Sequence, residues 1–492
     1  MLRPWTLPII LNRDGKQPVY LQLVYALIEE IRANRLTPGA ALPGSRELGE
    51  IVGVNRKTVV QAYDELCSQG WLTSEPARGT FVSARLPALA AVPERPRGGM
   101  LAAVPDFRLR RPPPDLPAWT PAPADTLEFD DGLPDARLMP ADIFGRAWRR
   151  ALGVAARRNR LRYGDPRGTL ALRQAVATML SADRAIPCTA DHICLVRGSQ
   201  MGIYVAARLL AVAGDTVVME ALSYPPAREA FRAAGAEIAT VGLDEHGLRL
   251  DELEALCRRR RVRAIYVTPH HQFPTTVVMQ PERRLHLLAL AEQFGFAIVE
   301  DDYDHEFHFA RRPMLPLISA DRWGKVVYIG SISKLLSPSL RVGYIAAPLG
   351  FVERAAMEVM TIDRQGDPVT EQVVAELMEA GTIRSSTRKA MRAYAERRQV
   401  FADALRETLD GRVSFVLPDG GLALWVRFAD GIDPDRLASV ARVRRVSFTP
   451  GSAYAMQPMP VAAARFGFAS LNPAELAQAV RRLGMAIRET RW

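Results

Sequence analysis

The sequence predicts a small, mainly helical domain at the N-terminus followed by a larger α/β domain. With 492 residues the chain exceeds the roughly 100 to 200 residues of one ordinary domain. Residues 1–84 contain short helical patterns separated by turns, and residues 85–125 are rich in proline and arginine. In residues 126–492 short apolar runs alternate with helical periodicity, which favours a parallel or mixed sheet with helices on both faces.

Three helices and two short strands are expected in the first domain. The first helix has an apolar stripe formed by Val19, Leu23, Leu27 and Ile31. After the segment TPGAALPG, Ser45 is the expected N-cap of a short second helix that ends at Gly53. Asn55 should cap the third helix, whose inward residues are Val59, Tyr63 and Leu66. Two short helices joined by a glycine turn form a helix-turn-helix.

The start of the third helix is a candidate DNA-reading surface. In a helix-turn-helix the N-terminal end of the second motif helix enters the major groove, and Arg56, Lys57 and Thr58 stand at that end. WLTSEPARGTFVS follows as two extended runs around a turn with Arg78 and Gly79, as expected of a wing. The domain carries 10 basic and 8 acidic residues up to residue 86, so charge alone does not separate DNA binding from a protein-interaction module with a solvated face.

The pattern PVYLQL…LTPGAALPGSRELGEIVGVNRKTVVQAYDELCSQGWL…RGTFV resembles the GntR family of bacterial regulators across the whole domain. This resemblance implies DNA contacts from Arg46 in the second helix, from Arg56, Lys57 and Thr58 in the third, and from Gly79 in the wing. We count the capping Asn55 with this set. The expected partner is a double-stranded DNA operator.

Residues 85–125 include RLRRPPPDLPAW and PAPAD, whose prolines favour extended backbone and prevent a continuous helix, so we expect a semi-rigid linker.

The N-terminus lacks the features of a signal peptide, and no apolar run approaches the roughly 18 residues that span a bilayer. The four cysteines show no zinc-site spacing. We therefore expect a cytoplasmic protein without a membrane segment.

Lysine is rare, which narrows the search for lysine chemistry. Lys325, Lys334 and Lys389 are the lysines beyond the linker, and the first and last are expected to be solvated surface charges. Lys334 follows the apolar strand VVYIGS in the segment SISKLLSPSLRVGY, with Arg341 seven residues on. Hydroxyls and a guanidinium beside a lysine at a strand's carboxyl end suit pyridoxal phosphate, a phosphorylated cofactor that forms an imine with lysine.

A second segment that could contact the cofactor is AIVEDDYDHEF. An acid after a buried strand needs a partner, and the cofactor's pyridinium nitrogen is one, so we assign Asp301 to it and point Tyr303 at the phenolic oxygen. The alternative is a metal site formed by Asp301, Asp302, Asp304, His305, Glu306 and His308. Because side chains alternate along a strand, we expect these groups to lie on opposite faces, and we predict no metal.

Together these motifs resemble fold-type I aminotransferases, and their fusion to a GntR-like domain resembles the MocR subfamily. The resemblance implies cofactor contacts from Tyr224 stacked on the ring, from Gly198, Ser199 and Gln200 at a helix start facing the phosphate, and from Ser331 and Arg341 beside Lys334. It implies that Arg465 in RFGFAS grips a substrate carboxylate through a bidentate pair. It also implies that Tyr163 in YGDPRG reaches the cofactor phosphate of a partner subunit, hence a head-to-tail homodimer.

Two segments depart from the family pattern. EALSY replaces EDPGY, and PHHQFPTT replaces PSHQFPTG. The loop near Thr276 is therefore expected to differ in geometry. His271 either approaches the ring oxygen or is structural.

Three functions remain open at this point. In the first, the chain is a regulator that senses an amino acid, amine or B6 vitamer through an aldimine at Lys334, and the ligand binds two conformations unequally. In the second, it is a working pyridoxal-phosphate aminotransferase. In the third, the C-terminal domain binds no cofactor and only dimerises.

Overall fold

The computed structural model describes residues 9–13, 17–87, 123–309 and 314–490. The chain divides into two compact units, Met1–Arg110 and Arg111–Trp492. Most of the expected linker, residues 88–122, lies outside the described residues. None of the described helices is long and apolar enough to cross a membrane.

The first unit has the expected order of three helices and a hairpin. Its elements are α1 Val19–Arg32, α2 Ser45–Val52, α3 Arg56–Ser68, β1 Leu72–Glu75 and β2 Gly79–Val82. The core comprises the inward faces of the three helices and the hairpin, including Leu23, Leu27, Ile31, Val59, Tyr63 and Leu66. β1 and β2 pair antiparallel from Leu72 opposite Val82 to Glu75 opposite Gly79.

One cap differs from the sequence prediction. Gly53 ends α2 in the left-handed conformation and Asn55 caps α3, both as predicted. The prediction for Ser45 was wrong, because the N-cap is Gly44 and Ser45 is already helical. The Ser45 hydroxyl instead accepts a hydrogen bond of 3.3 Å from Arg56 Nε, which joins the starts of the two helices.

The second unit is built around a seven-stranded sheet with the order β4-β12-β11-β10-β9-β5-β6. Its strands are β4 Ile193–Val196, β5 Thr216–Glu220, β6 Glu237–Val241, β9 Val262–Val267, β10 Ala297–Asp302, β11 Val326–Ser331 and β12 Gly343–Ala346. Only β12 runs antiparallel to its neighbours among these strands. The apolar runs that predicted strands correspond to these elements, so the mixed α/β fold is confirmed.

Helices cover both faces of this sheet. They are α4 Ala141–Arg157, α5 Leu170–Arg184, α6 Ser199–Leu210, α7 Pro225–Ala233, α8 Leu250–Arg259, α9 Pro281–Phe294, α10 Ser333–Leu336, α11 Leu349–Asp363, α12 Pro368–Glu379 and α13 Thr382–Thr408. Val299 of β10 packs with α6, α7 and α11, whereas Ile298 beside it packs with α8 and α9. Successive residues at the end of β10 therefore face opposite sides of the sheet.

A second, five-stranded sheet has the order β13-β14-β16-β15-β3. Its strands are β3 Leu127–Phe129, β13 Val413–Ser414, β14 Ala423–Phe428, β15 Val446–Pro450 and β16 Ala463–Gly467, and it packs with α13, α14 Pro434–Val443 and α15 Pro473–Glu489. A short hairpin, β7 Leu243–Asp244 with β8 Gly247–Leu248, completes the strands. Arg465 of β16 and Tyr303, just after β10, are in contact, so the two sheets meet at one site.

Candidate functional site

The start of α3 presents exposed polar and basic side chains. Arg56 and Lys57 are exposed, Thr58 is half-buried, and Arg46 is exposed on α2. The hydrogen bond from Arg56 to Ser45 places this start beside the start of α2. α2 and α3 approach closely, because a Cβ on Gly49 would lie 2.9 Å from the Val54 carbonyl oxygen. The helix-turn-helix geometry thus leaves the basic side chains of Arg46, Arg56 and Lys57 open to solvent.

Asn55 and Gly79 have local structural roles as well. Asn55 Oδ1 accepts a hydrogen bond of 2.9 Å from the Lys57 N–H, which caps α3. Gly79 is exposed at the tip of the hairpin with φ +112°, a conformation that favours glycine. Beside it Arg78 pairs with Glu75 at 2.6 Å. The wing predicted from sequence is therefore a tight hairpin with a glycine at its turn.

Lys334 lies on α10, directly after β11, and its side chain is half-buried. Its Nζ lies 4.2 Å from the centre of the Tyr303 ring. Burial lowers the pKa of Lys334 although Asp304 and Asp301 act to raise it. Lys325 and Lys389 differ, because Lys325 pairs with Glu292 at 3.2 Å and Lys389 is exposed on α13. Of these three lysines, Lys334 is the one at a buried polar site.

Asp301 ends β10 on the face that packs against α6 and is buried. Its Oδ2 accepts a hydrogen bond of 2.7 Å from the Tyr266 hydroxyl, while its Oδ1 has no hydrogen-bond partner among the described residues. Burial raises the pKa of Asp301 to about 7. A buried carboxylate oxygen without a partner is costly, which is the situation that a ring N–H donor would relieve.

Arg341 and Gly198 form a cradle at the start of α6. Gly198 is the N-cap with φ +75°, and Ser199 and Gln200 follow as the first helical residues, whose N–H groups lack partners within the helix. The Arg341 guanidinium lies over this turn and donates to the Arg197 carbonyl at 2.9 Å. A helix start beside a guanidinium is suited to a phosphate group.

Three further residues were predicted from the sequence to contact the cofactor, and the structure places them as follows. Ser331 ends β11, three residues before Lys334. Tyr224 is the N-cap of α7 and contacts Phe273 edge to face at 5.3 Å. The Gln200 amide donates to the Pro226 carbonyl at 3.1 Å, which places its side chain against the start of α7.

Arg465 is 1% exposed and its guanidinium contacts only neutral groups among the described residues. It donates to the carbonyl of Asp131 at 3.0 Å, to that of Pro274 at 2.9 Å and to the Tyr303 hydroxyl at 3.4 Å. A fully buried guanidinium is stable only when its charge is compensated. This arrangement therefore suits a carboxylate-bearing ligand, and Tyr303 joins Arg465 to Lys334.

His271 and Thr276 belong to the loop after β9. His271 Nδ1 lies 2.9 Å from Asp304 Oδ1, and the His271 carbonyl accepts a hydrogen bond from the Tyr303 hydroxyl at 2.9 Å. The loop thus orients Tyr303 through its backbone. Thr276 has φ +64°, a left-handed conformation that is unfavourable for a β-branched residue. The family pattern described above has glycine at this position, and φ +64° is a conformation that glycine adopts without strain, so the expected difference in loop geometry stays a prediction.

Tyr163 lies apart from this site. Its ring is 77% exposed and stacks with Arg364 at 4.9 Å. None of the contacts of the described residues connects Tyr163 to Lys334, and the assignment of Tyr163 to a partner subunit stays a prediction.

A second polar cluster faces the other side of β10. Asp302 accepts a hydrogen bond of 2.7 Å from the Tyr328 hydroxyl and lies 2.9 Å from His305 Nδ1. Although burial acts to raise the pKa of Asp302, its neighbours His305, His270 and Arg184 hold it well below its ordinary value. The expected alternation does separate Asp301 from Asp302. The alternation of side chains ends with the strand, because the chain turns after Asp302 and brings His305 back to it.

The residues near Lys334 fit pyridoxal phosphate on structural grounds. They supply an amine, a buried carboxylate oxygen that lacks a donor, and an arginine beside a helix start. Two of the neighbours were missed from sequence: Tyr266, which holds Asp301, and Asp131, whose carboxylate accepts from Tyr454 and whose backbone holds Arg465. The acid in TLEFDDG directly after a short apolar run was an available signal for Asp131.

Comparison with known proteins supports both domains. Residues 19–82 match the family described as bacterial regulatory proteins, gntR family, and residues 138–483 match aminotransferase class I and II. The probable rhizopine catabolism regulatory protein MocR of Rhizobium meliloti is 30% identical over 97% of this chain and 95% of that protein. The transcriptional regulator TauR of Rhodobacter capsulatus is 30% identical over 96% and 97%.

Among solved structures, the second unit is similar to LysN, an α-aminoadipate aminotransferase from Thermus thermophilus in complex with N-(5'-phosphopyridoxyl)-L-leucine. The TM-score is 0.69 at 28% identity, covering 74% of this chain and 92% of that one. Because the two family matches and the full-length relatives agree, the chain belongs to the MocR-type transcription regulators of the GntR family, which join a helix-turn-helix domain to an aminotransferase class I and II domain.

Proposed function

We propose that this regulator binds pyridoxal phosphate at Lys334 and senses an amino acid, an amine or a B6 vitamer there. The observation that carries the proposal is that Lys334 Nζ lies 4.2 Å from the centre of the Tyr303 ring, whose hydroxyl contacts the buried Arg465, while the buried Asp301 also acts electrostatically on the Lys334 amine. Asp301 has a buried oxygen without a hydrogen-bond partner among the described residues, and Arg465 donates to neutral groups. A structural lysine would not need either group.

Each residue has a defined task in this proposal. When bound, the cofactor supplies an aldehyde that reacts with primary amines and a ring that draws electrons from them. Lys334 is the resident amine, and Asp301 Oδ1 accepts the ring N–H. Arg341 and the amides of Ser199 and Gln200 hold the phosphate, with Tyr224 against the ring. Tyr303 lies within reach of Lys334 and is oriented by the His271 carbonyl.

The effector is proposed to be a small primary amine that also carries a carboxylate. Arg465 has an electrostatic reason to prefer such a ligand, since its buried guanidinium donates hydrogen bonds only to carbonyl and hydroxyl oxygens among the described residues, with the Asp131 and Asp304 carboxylates acting on it without an ion pair. An effector that displaces Lys334 from the cofactor would change the contacts of Tyr303, which touches both Lys334 and Arg465. Such a ligand alters DNA binding if it binds two conformations unequally.

We further propose a head-to-tail homodimer in which Tyr163 serves the partner subunit's cofactor. The 77% exposure of Tyr163 supports this assignment, because such a side chain is free to contact a second subunit. A dimer also provides two DNA-binding domains, which would read paired half-sites.

Borohydride reduction followed by peptide mass spectrometry tests the cofactor assignment. We expect a reduced adduct on Lys334 of the wild type and none in Lys334→Ala, whereas Lys389→Ala, altered at an exposed lysine, retains it. An unmodified Lys334 in native protein that has been supplied with pyridoxal phosphate would overturn the proposal and support a domain that only dimerises.

The effector assignment is tested by titrating amino acids and amines while recording cofactor absorbance and operator binding together. A spectral change with unaltered DNA binding for every compound would contradict sensing.

The presence of Lys334, Asp301 and Arg465 also allows a second function, that of a working aminotransferase. Steady conversion of an amino donor and a keto acceptor at about 1 to 1000 per second would support that second function.

A further inference from the structure

Three buried side chains on the far side of β10 from Asp301 converge on one point. His270 comes from the loop after β9, Asp302 ends β10, and His305 follows in the next turn. One ligand atom from each lies within 4.8 Å of the other two. The rings of His270 and His305 stack with centroids 4.7 Å apart. None of the three is assigned to the cofactor or to DNA.

Their polar atoms are incompletely satisfied. Asp302 Oδ1, His270 Nδ1 and His305 Nε2 are buried and have no hydrogen-bond partner among the described residues. Each side chain is at most 5% exposed. Buried polar atoms are nearly always paired, so unpartnered atoms on three side chains of one cluster indicate a missing partner, either an ion or a water molecule.

The surroundings orient the cluster. The Tyr328 hydroxyl donates to Asp302 Oδ2 at 2.7 Å and leaves Oδ1 free. Arg184 lies 4.0 Å from Asp302 but forms its close ion pair with Glu306 and also bonds Tyr328 and Tyr344. Because the close ion pair of Arg184 is with Glu306, its 4.0 Å contact balances Asp302 only in part, and the Asp302 carboxylate can balance a further cation.

We propose that His270, Asp302 and His305 bind one divalent first-row transition-metal ion, with Zn²⁺ as the reference case. Two imidazoles and a carboxylate form a donor set that such ions prefer, and a hard cation such as Mg²⁺ would select oxygen ligands instead. Ligands held tetrahedrally at about 2.0 to 2.2 Å from one ion lie about 3.3 to 3.6 Å apart, so ligand atoms within 4.8 Å of one another would have to approach by at most about 1.5 Å.

An access route and an open coordination position accompany the cluster. His305, Arg184 and Glu306 line a cavity of about 920 Å³, whose other walls come from α5, α12 and α13 and include Met179, Met378 and Ile383. His270 and Asp302 do not line this cavity. Three protein ligands leave a fourth position for water or for a small ligand entering from the cavity.

Metal binding is tested on the tag-free, full-length protein with its cofactor present, since an affinity tag of histidines would bind the same ions. The protein is dialysed against a chelator and titrated with Co²⁺, which is followed by its visible absorption, and then with Zn²⁺ in competition. We expect one ion per chain, and displacement of Co²⁺ by Zn²⁺.

Variants identify the ligands. His270→Ser, His305→Ser and the nearly isosteric Asp302→Asn should each weaken binding at least about 100-fold, beyond the loss known for residues that only support a ligand. His286→Ser, altered at an exposed histidine of α9, should bind as the wild type does. Thermal unfolding checks that each variant is folded. If a histidine variant does not fold, the nearly isosteric Asp302→Asn still tests the site.

Two results would overturn the site. One is a wild-type protein that binds neither ion at micromolar concentration, which would assign the cluster to a buried water. The other is folded His270→Ser and His305→Ser protein with undiminished binding, which would place the ion elsewhere. Both readouts are independent of the adduct on Lys334, so this inference and the proposed function can fail separately.

Discussion

The guanidinium of Arg341 closes over Gly198 so tightly that a Cβ at position 198 would lie 2.6 Å from Arg341 Nη2. Gly198 also has φ +75°, which side chains adopt at a cost. Close approach and backbone conformation therefore both require glycine at this helix start. The contact is the tightest constraint on the proposed phosphate cradle.

Gly198→Ala should weaken pyridoxal phosphate binding at least about tenfold, or about 1.4 kcal/mol, because the added methyl group displaces Arg341 from the helix start. Cofactor affinity is measured by absorbance titration of the apoprotein. Gly350→Ala is the matched control, since a Cβ on this glycine in the first turn of α11 meets nothing within 4 Å. Equal affinities in the two variants would argue that the phosphate lies elsewhere.

Arg465→Gln should separate amino acids from amines. The variant retains hydrogen-bond donors for the carbonyls of Asp131 and Pro274 but loses the positive charge. Affinity for responsive L-amino acids should fall about 10- to 100-fold, as expected for losing a hydrogen bond to a charged group worth about 1.5 to 3 kcal/mol. Affinity for the corresponding decarboxylated amines should change little.

The matched control for that experiment is Arg427→Gln, altered at an exposed arginine of β14, the strand beside β16. Cofactor absorbance reports binding in both variants. A parallel loss for amino acids and amines would mean that Arg465 supports the fold of the site and does not read the carboxylate.

Sequence reasoning located those parts of the site that lie at strand ends. Asp301 and Lys334 follow recognisable apolar runs, and the scarcity of lysine removed most alternatives. Tyr266 was missed because its pairing with Asp301 joins neighbouring strands 35 residues apart in the chain. A buried tyrosine within an apolar strand carries no local signal that distinguishes it from a core residue.

Other sequence predictions differed from the structure where a side chain contacts a different helix, strand or loop. Ser45 is a good N-cap by residue type, yet its hydroxyl contacts Arg56 of the next helix, and the extended Gly44 takes the N-cap position. The argument against a metal cluster assumed continued strand alternation through His305. The chain turns after Asp302, and His270 comes from a loop more than 30 residues earlier, so neither neighbour could be placed by periodicity.

Glu220→Gln should alter the pH dependence of stability. Glu220 is fully buried at the end of β5, accepts from the Gln272 amide at 3.0 Å, and has its pKa raised by burial from 4.5 to about 8. Between these values the unfolded chain is ionised while the folded one holds a proton. Stability contributed by the neutral acid is therefore lost as pH rises from about 4.5 to about 8.

The glutamine variant mimics the neutral acid and should lack this decline, so its melting temperature should exceed that of the wild type more at pH 8.5 than at pH 5. Differential scanning calorimetry of the full-length protein at both pH values gives the comparison. Glu237→Gln, altered at an exposed glutamate on neighbouring β6, should follow the wild type. An unchanged pH slope in Glu220→Gln would show that this carboxyl stays ionised in the fold.

Asn55 offers a way to separate helix capping from DNA contact at the start of α3. Its Oδ1 caps the Lys57 N–H, and aspartate caps helices equally well. Asn55→Asp should therefore leave the domain as stable as the wild type, whereas Asn55→Ala should cost about 1 kcal/mol. On operator DNA the order reverses, because the added negative charge beside Arg56 and Lys57 repels phosphate.

We expect Asn55→Asp to bind operator DNA at least about tenfold more weakly at low salt, with the deficit shrinking as salt screens the repulsion. Arg56→Ala should lose about 1 to 3 kcal/mol of binding free energy. The control is Arg35→Ala, which should bind normally, because Arg35 follows α1 and pairs with Glu30 of that helix. Fluorescence anisotropy across a salt series measures all three. If Asn55→Asp bound DNA as well as the wild type, the start of α3 would not face the duplex, since a charge placed against phosphates must register in the affinity.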